Sequence, residues 1–353
     1  MRALFVPLAL CAAPHISLGP DSRVALAWGP SVVAAQTVTE QQLLGPVEFR
    51  GLHAVSKKVV WASGSGGWVY HTTTGGKHWT IDTIPGATNL FLVDVWAKDA
   101  RRAYVVGTDF RGGYAAIYAT TDGGASWNKQ WELRDSSAFL DGLTCFSERH
   151  CLAIGDPIGG NYLLLVTADG GANWQRVGLT GLPAMLPGEA AFAASGTEIT
   201  SRGNTAWFVT GGGSHARVWR SRDRGWSWDV RETPLAGGGS AGLFGIAMQD
   251  DRNGLAAGGD YQQPNDSQPN LLRTTDGGVT WTVAGRTTPI GVRWGITSGG
   301  RGLYLATAPT GTGITRDGGA TWSVLDAKPA NTASCAGRVC WLAGRNRLAK
   351  VTF

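Results

Sequence analysis

The sequence is poor in several residue types, and each shortage argues against a class of protein. Only 16% of the 353 residues are charged, and the formal net charge is +5. The lysines and arginines are scattered, whereas nucleic-acid-binding surfaces carry runs of basic residues with interleaved aromatic side chains. No apolar periodicity of 3.6 residues is sustained, which argues against a helical solenoid. We therefore expect an all-β chain without a nucleic-acid partner.

The patterns of common catalytic and metal sites are also missing. None of the six histidines pairs with another at the spacing of metal ligands. There is no Gly-x-Ser-x-Gly string, and the glycine runs lie between predicted strands instead of before a helix. We expect no metal, no cofactor and no enzyme activity. The alternative is a glycoside hydrolase, which needs two carboxylates, and candidates for these are Asp141, Asp156, Glu189 and Asp260.

Six copies of one short string recur along the chain. Five follow Ser/Thr-x-Asp-x-Gly-x-x-Trp, and the first copy, at residues 72–79, has Thr74 where the others have Asp. An Asp carboxylate can accept hydrogen bonds from downstream backbone N–H groups, and glycine takes positive φ, so the string predicts a tight turn anchored by a buried Trp. The predicted structural residues of these turns are Asp122, Trp127, Asp169, Trp174, Asp223, Trp228, Asp276, Trp281, Asp317 and Trp322.

The spacing of the copies predicts the fold. Their Trp residues are separated by 48, 47, 54, 53 and 41 residues, and repeats of roughly 40–50 residues with short strands are typical of propeller blades. We predict an all-β, seven-bladed β-propeller of four-stranded blades over residues 36–353, with a Trp-led fourth strand in each repeat. The apolar segment Phe192–Ser195 is predicted to be the first strand of the fourth blade. The seventh unit, near 332–352, lacks the turn. We expect a strand from within 37–49 to complete it and close the ring.

Residues 1–35 are predicted to be a signal peptide. A basic start precedes apolar runs at 3–10 and 24–35, and small residues at 33–35 offer a cleavage site, which would leave a net charge of +4. If translation starts near Arg23 instead, only the second apolar run belongs to the signal peptide. Prolines interrupt both runs and disfavour a membrane anchor, and the large Leu10 disfavours lipid attachment at Cys11. We expect export to the periplasm or the extracellular space.

The four cysteines after residue 35 form two short pairs. Cys145 and Cys151 flank the first loop of the third predicted unit, and Cys335 and Cys340 hold the matching places in the seventh. We predict the disulfides Cys145–Cys151 and Cys335–Cys340, which fits an oxidising compartment. Zinc is the alternative, but the chain offers no clustered His pair to complete such a site.

Charged residues precede the first strand of several units and are predicted to lie near the axial channel. They form a candidate binding ring of Arg50, Asp141, Glu189 and Arg293, for which mutual ion pairing is the alternative. The loops between second and third strands are irregular and lie on the face away from the Asp turns, where binding usually resides. The five loop candidates are Asp109, Arg111, Asp156, Asp260 and Tyr261. For Asp156 and Asp260, capping of a turn is the alternative role.

The Asp turn is the Asp box shared by sialidases and other propellers. Longer strings at 49–52, 155–158, 188–197 and 258–261 make residues 36–353 resemble the photosystem II stability and assembly factors and their bacterial relatives. The resemblance implies a seven-bladed, exported, non-catalytic propeller that binds a protein partner.

In phototrophs, members of this family bind the precursor of a reaction-centre subunit, and an arginine-rich surface is implicated. Only Arg50 and Arg293 could correspond to it here. The resemblance implies a partner such as a membrane-protein assembly intermediate, and we expect the chain to act as a monomer. Sialidases carry an arginine triad and an early Arg-Ile-Pro string, which this chain does not match, so the shared turns do not imply their activity.

Overall fold

The computed structural model describes residues 36–178 and 182–353, and the predicted signal peptide lies outside them. All regular structure in the described residues is β-strand, arranged as seven antiparallel sheets of four strands. The first strands of neighbouring blades contact each other around a common axis. The prediction of a seven-bladed propeller is therefore confirmed. The described residues contain no helix that is long and apolar enough to cross a membrane.

Each blade contributes one strand to each of four concentric layers. The innermost strands are β2 (Phe49–Ala54), β6 (Phe91–Ala97), β10 (Leu140–Cys145), β14 (Ile199–Arg202), β18 (Ala241–Met248), β22 (Gly295–Gly300) and β26 (Thr332–Ala336). The second strands are β3 (Val60–Gly64), β7 (Ala103–Thr108), β11 (Cys151–Ile158), β15 (Thr205–Thr210), β19 (Gly254–Asp260), β23 (Leu303–Thr307) and β27 (Val339–Gly344). The third strands are β4 (Trp68–Thr72), β8 (Ala115–Thr120), β12 (Asn161–Thr167), β16 (His215–Ser221), β20 (Leu271–Thr274), β24 (Thr312–Thr315) and β28 (Arg347–Thr352). The outer strands are β5 (Thr80–Thr83), β9 (Asn128–Leu133), β13 (Gln175–Arg176), β17 (Asp229–Ala236), β21 (Thr282–Gly285), β25 (Ser323–Asp326) and β1 (Thr37–Glu40).

The apolar core lies between the blades. In the second blade, every residue of β7 and β8 is buried, whereas β9 at the rim is largely exposed. Both faces of a middle strand are covered by neighbouring blades, so these strands are apolar along their whole length instead of alternating. Side chains from adjacent sheets share one cluster; for example, Ile117 of β8 belongs with Leu143 of β10 and Leu165 of β12.

The ring closes as the sequence predicted. Strand β1 pairs antiparallel with β28, with Val38 opposite Val351 and Glu40 opposite Ala349. The seventh sheet therefore combines β1, which begins at Thr37, with the three strands of residues 332–352. This pairing covers the edge of β28, which would otherwise expose unpaired backbone groups.

The Asp boxes join third and fourth strands, as predicted. In the second blade, Asp122 accepts a hydrogen bond of 2.9 Å from the Ser126 backbone N–H and one of 2.6 Å from its hydroxyl. Gly123 and Gly124 take φ of 85° and 91° there. Each Trp ends the turn one residue before the fourth strand, which corrects the predicted Trp-led strand by one position. In the degenerate copy, the Thr74 hydroxyl accepts from the His78 N–H at 2.9 Å and so takes the place of the carboxylate.

The two predicted disulfides are confirmed. Cys145 bonds Cys151 and Cys335 bonds Cys340, each joining residues directly opposite in an antiparallel pair. They connect β10 to β11 and β26 to β27, which are the matching strands of the third and seventh blades. Both disulfides therefore staple an innermost strand to the second strand of its own blade.

One strand prediction is wrong. The segment 192–195 was expected to form the first strand of the fourth blade, but that strand, β14, begins at Ile199. The backbone of the segment has other partners: Ala193 accepts a hydrogen bond from the Arg50 side chain, and Gly196 donates to the Arg50 carbonyl. This segment crosses the axis of the propeller and forms part of the cavity described below.

Candidate functional site

A cavity of about 520 Å³ lies on the propeller axis, and we call it the mouth cavity. All seven blades contribute to its lining, from Arg50 in the first to Asn331 in the seventh. Its outer wall includes loops between second and third strands, among them those of Phe110 and Tyr261. The mouth cavity therefore opens on the face opposite the Asp boxes, where the sequence predicted binding.

β-Bulges direct several side chains toward this cavity. The register between first and second strands shifts at one residue in the first, third and fifth blades, and the extra residues are Arg50, Asp141 and Phe244. A bulge adds a residue to one strand of a pair and turns its side chain in a new direction. These three bulged residues all line the mouth cavity.

A glycine follows each of these side chains because the innermost strands approach one another closely. A Cβ at Gly51 would lie 2.8 Å from the backbone of Asp94 in the next blade, and one at Gly245 would lie 3.0 Å from the Ile296 nitrogen. The strings Arg50-Gly51, Asp141-Gly142, Phe244-Gly245 and Trp294-Gly295 repeat this arrangement. Sequence reasoning missed Phe244 and Trp294, and this recurring glycine before Leu or Ile was the signal that could have identified them.

Arg50 is held between aromatic rings. Its guanidinium carbon lies 4.8 Å from the centroid of Phe91 and 4.9 Å from that of Phe110. Nη1 donates to the Ala193 carbonyl at 2.5 Å, and Nη2 donates to Glu48 at 3.4 Å. Burial lowers the pKa of Arg50 from its usual value, although the neighbouring Glu48 acts in the opposite direction. These contacts fix the guanidinium at the wall of the cavity.

Asp141 and Asp156 are the two predicted carboxylates that share this cavity with Arg50. Asp141 is 1% exposed, and its Oδ2 has no hydrogen-bond partner; Asp156 Oδ1 is likewise buried and without a partner. Burial, and secondly the charge of Asp156, raises the pKa of Asp141 well above its usual range. Burial raises the pKa of Asp156 to about 6. Ionisation of both carboxyl groups at once is unfavourable because like charges that lie close together repel each other.

Aromatic side chains form most of the remaining wall. Phe192 lies 4.7 Å from Phe244 between ring centroids, and Phe110 lies 5.3 Å from Phe139. The predicted loop residue Tyr261 packs against Phe244 at 6.4 Å and remains 44% exposed. Phe110, Phe139 and Phe192 were not predicted as site residues. The cavity thus offers apolar, π-rich walls around a small number of charged groups.

The structure does not bring Glu189 and Arg293 to the mouth cavity. Glu189 accepts hydrogen bonds from Thr210 at 2.7 Å and Trp219 at 2.9 Å and forms a buried ion pair with Arg217. Burial raises its pKa, but the hydrogen bonds, led by that of Arg217, lower it below the usual value overall.

Arg293 is completely buried and donates to three backbone carbonyls and to the Thr310 hydroxyl. Burial lowers its pKa to about 10. Its donors are occupied within the sixth blade and its neighbouring loops, and it has no access to a ligand at the axis. Only Arg50 and Asp141 of the predicted four-residue ring therefore face the cavity.

The other loop candidates act within their own turns. Asp109 accepts a hydrogen bond of 2.9 Å from the Arg111 backbone N–H, and Arg111 itself is exposed. Asp260 accepts from the Gln262 N–H at 2.9 Å and so caps the long loop that carries Tyr261. A hydrogen bond from Ser240 is the main reason that the pKa of Asp260 is below its usual value. As contacts for a partner, these three residues stay predictions.

Two more carboxylates, Asp94 and Glu198, lie buried among the innermost strands. Asp94 accepts from the Val95 and Leu143 N–H groups, whereas neither oxygen of Glu198 has a hydrogen-bond partner. Burial raises the pKa of Asp94 to about 7, and burial followed by the charges of Asp94 and Asp141 raises that of Glu198 well above its usual value. Both carboxylates crowd Gly142. Asp94 interrupts the apolar strand β6, which was a signal in the sequence for this cluster.

Within residues 36–178 and 182–353, no group of three His, Cys, Asp or Glu side chains is arranged to hold a metal ion. The mouth cavity combines aromatic rings with two carboxylates that have free acceptor atoms and one guanidinium, whose Nη donors are engaged and whose Nε has no partner. Such a lining can bind an apolar or amphipathic chain and can accept hydrogen bonds from it.

Comparison with known families confirms the resemblance predicted from the longer strings. A sequence profile described as photosynthesis system II assembly factor YCF48 matches residues 84–234. This stretch includes the second and third blades and most of the fourth. No curated protein matches the sequence.

Solved structures share the fold at low sequence identity. A structure described as YCF48 bound to D1 peptide has a TM-score of 0.60 and 13% identity, covering 90% of this chain and 96% of its own. YCF48 from Cyanidioschyzon merolae has a TM-score of 0.61 and 14% identity, covering 89% and 98%. The GH74 enzyme of Niastella koreensis has a TM-score of 0.61 and 14% identity, but the match covers 88% of this chain and only 53% of the enzyme.

Proposed function

We propose that this chain is an exported, non-catalytic propeller that binds an extended segment of a protein partner in the mouth cavity, as an assembly or stability factor. The observation that carries the proposal is the cavity itself, because all seven blades line it and five of them give it aromatic walls on the irregular loop face. Rigid aromatic side chains at the centre of a surface are the usual energetic anchors of protein–protein contacts.

The comparisons support the same reading. The profile match is to an assembly factor family, and one structure of similar fold is described as bound to a peptide of D1. By analogy, the partner of this chain would be an intermediate in the assembly of a membrane protein. The two disulfides and the apolar N-terminal pattern support export, and we propose that the chain works as a monomer.

Site-directed photocrosslinking in the native organism tests this proposal. A benzophenone amino acid would replace Tyr261 or Phe110 at the mouth cavity, and Val279 in an Asp box on the opposite face would serve as control. Both cavity positions are expected to give the same protein adduct, and Val279, which is 39% exposed, is expected to give none. Equal labelling from Val279, or no protein adduct from either cavity position, would contradict the proposal.

A glycoside hydrolase is the second candidate, because the cavity holds two carboxylates of raised pKa and the fold resembles that of a GH74 enzyme. Fluorogenic glycosides assayed with the wild type and Asp141→Asn distinguish the two functions. The hydrolase requires turnover that falls by roughly a hundredfold or more when an acid–base group is lost. Glu189→Gln is a less direct test, since Glu189 is engaged with Arg217 and lies outside the cavity lining. We expect no turnover from any of these proteins.

A further inference from the structure

The lining of the mouth cavity has acceptor atoms that the protein leaves unused. Asp141 is buried and its Oδ2 has no hydrogen-bond partner, and the same holds for Oδ1 of Asp156. Buried polar side-chain atoms are nearly always hydrogen-bonded in folded proteins. The two orphan carboxylate oxygens that line this cavity are therefore available to a donor supplied from outside the chain.

The charged lining of the cavity is predominantly acidic. Glu48, Asp141 and Asp156 line it together with a single cation, Arg50. The Nη donors of Arg50 are directed to the Ala193 carbonyl and to Glu48, and its faces are covered by Phe91 and Phe110. No hydrogen bond or ion pair in the described residues joins Arg50 to Asp141 or Asp156. The guanidinium thus leaves the two orphan oxygens without a counter-charge.

The aromatic side chains of the same lining also favour a cation. Phe139, Phe192, Phe244, Tyr261 and Trp294 line the cavity. The faces of aromatic rings attract ammonium and guanidinium groups, and the interaction strengthens when the cation is withdrawn from water. A lining that combines carboxylates with aromatic rings would repel an anionic segment and accept a basic one.

We propose that the mouth cavity binds a lysine or arginine side chain of the partner segment, with the cationic head at Asp141 and Asp156. This inference rests on the proposed function and adds the chemistry by which the segment is chosen. The aliphatic stem of the basic residue lies against Phe192 and Phe244, and its N–H groups donate to the orphan oxygens. The cavity therefore selects partners by charge complementarity and not by apolar contact alone.

Selection of peptides from a random phage-displayed library tests the proposal on the purified full chain. Peptides enriched by the wild type are expected to share one lysine or arginine position. The tightest peptide would then be measured by fluorescence anisotropy beside a version with methionine at that position. The methionine version, and separately Asp141→Asn or Asp156→Asn with the original peptide, should bind about tenfold or more weakly.

Asp135→Asn is the matched control, since this exposed carboxylate caps a nearby loop and lies outside the cavity lining. It carries the same change in charge and is expected to leave the affinity unchanged. Enriched peptides without a shared basic residue, or an affinity unaffected at both Asp141 and Asp156, would overturn the inference while the proposed function stands.

A selection that enriches no peptide would count against the proposed function. A titration with n-butylammonium, followed through tryptophan fluorescence because Trp294 lines the cavity, then tests the inference separately. A change that saturates in the wild type and is lost in Asp141→Asn would support ammonium recognition. The same response in both proteins, or none in either, would overturn it. Thermal melts of each variant establish that it is folded.

Discussion

At the scale of single residues, the least expected feature is the pair of carboxylates buried beside Gly142. Where the first, third, fifth and sixth blades have a glycine on the innermost strand, the second blade has Asp94. Glu198 of the fourth blade approaches the same point with both of its oxygens unpaired. A buried carboxyl group that lacks hydrogen bonds is more stable protonated than ionised, so the folded chain retains a proton here that the unfolded chain releases.

This proton gives a prediction about stability. Between the ordinary pKa of 4.5 and its raised folded value, Glu198 binds more proton in the folded than in the unfolded chain, so the free energy of unfolding falls as pH rises. Glu198→Gln is neutral at every pH and should therefore be more stable than the wild type by an amount that grows with pH. Urea unfolding at pH 5 and pH 8 should give a gain larger at pH 8 by at least about 1.4 kcal/mol, the equivalent of one pKa unit.

Glu148→Gln provides the comparison. Glu148 is half-buried, and its own backbone N–H and Lys98 lower its pKa, so its substitution should not bring a gain that grows with pH. If the stability difference between Glu198→Gln and the wild type were the same at both pH values, Glu198 would not be the group that holds the proton.

The residue scale is also where sequence reasoning reached its limit. It predicted Arg50 and Asp141 near the axis, and both line the mouth cavity, because a charged residue at the start of an apolar strand is a local pattern. It could not distinguish Arg50 from Arg293, since the difference lies in which loops surround each guanidinium. Likewise, the sequence around Glu189 does not indicate its hydrogen bond from Arg217, which lies 28 residues later. Long-range pairings of this kind leave no periodic trace in the sequence.

At the scale of elements, the Asp boxes act as anchors between blades. Trp281 is 6% exposed and belongs to a cluster with Trp207 of the preceding blade, whereas Trp127 is only half-buried against Trp61. The boxes have the same turn but different burial of their Trp. The energetic role of a box therefore depends on how deeply its Trp reaches the neighbouring sheet.

We expect Trp281→Ala to lower the free energy of unfolding by about 3–5 kcal/mol, because it removes a large side chain from a packed cluster. Trp127→Ala should have a smaller effect, in keeping with its partial exposure. Chemical denaturation of both variants measures the difference. Val279→Ala, at an exposed position of the same box as Trp281, should remain within about 0.5 kcal/mol of the wild type. Equal losses for Trp281→Ala and Val279→Ala would contradict an anchoring role.

Elements were the scale at which the sequence was most informative. Turns, strands and Trp anchors are all local, so the periodic strings predicted the Asp turns, the Trp anchors and the four-stranded blades. The failure at 192–195 has a physical cause: this apolar segment resembles a strand, but the Ala193 carbonyl accepts from the Arg50 side chain, and the Ala194 N–H donates to the Phe192 carbonyl within the segment instead of to a sheet edge. A buried loop that crosses the axis cannot be distinguished from a strand by composition alone.

At the scale of the whole molecule, stability depends on a ring whose two ends meet in one sheet. Strand β1 contributes only four residues, yet it covers the edge of β28, and Glu40 pairs with Arg347. The sequence predicted this closure because the last unit lacked an outer strand. If the ring opens first at this join, a covalent link across β1 and β28 should stabilise the entire propeller and not only the seventh blade.

Val38 and Val351 offer the position for such a link, since they lie directly opposite in the antiparallel pair and share an apolar cluster. The native disulfides already join residues that are opposite in this way. We expect Val38→Cys with Val351→Cys to form a disulfide and to raise the free energy of unfolding by about 2–4 kcal/mol, because the link closes nearly the whole chain into a loop. The single variants Val38→Cys and Val351→Cys carry the same side chains without the link and should gain nothing. If the oxidised double variant unfolded at the same urea concentration as these two single variants, opening of the β1–β28 join would not limit the stability of the ring.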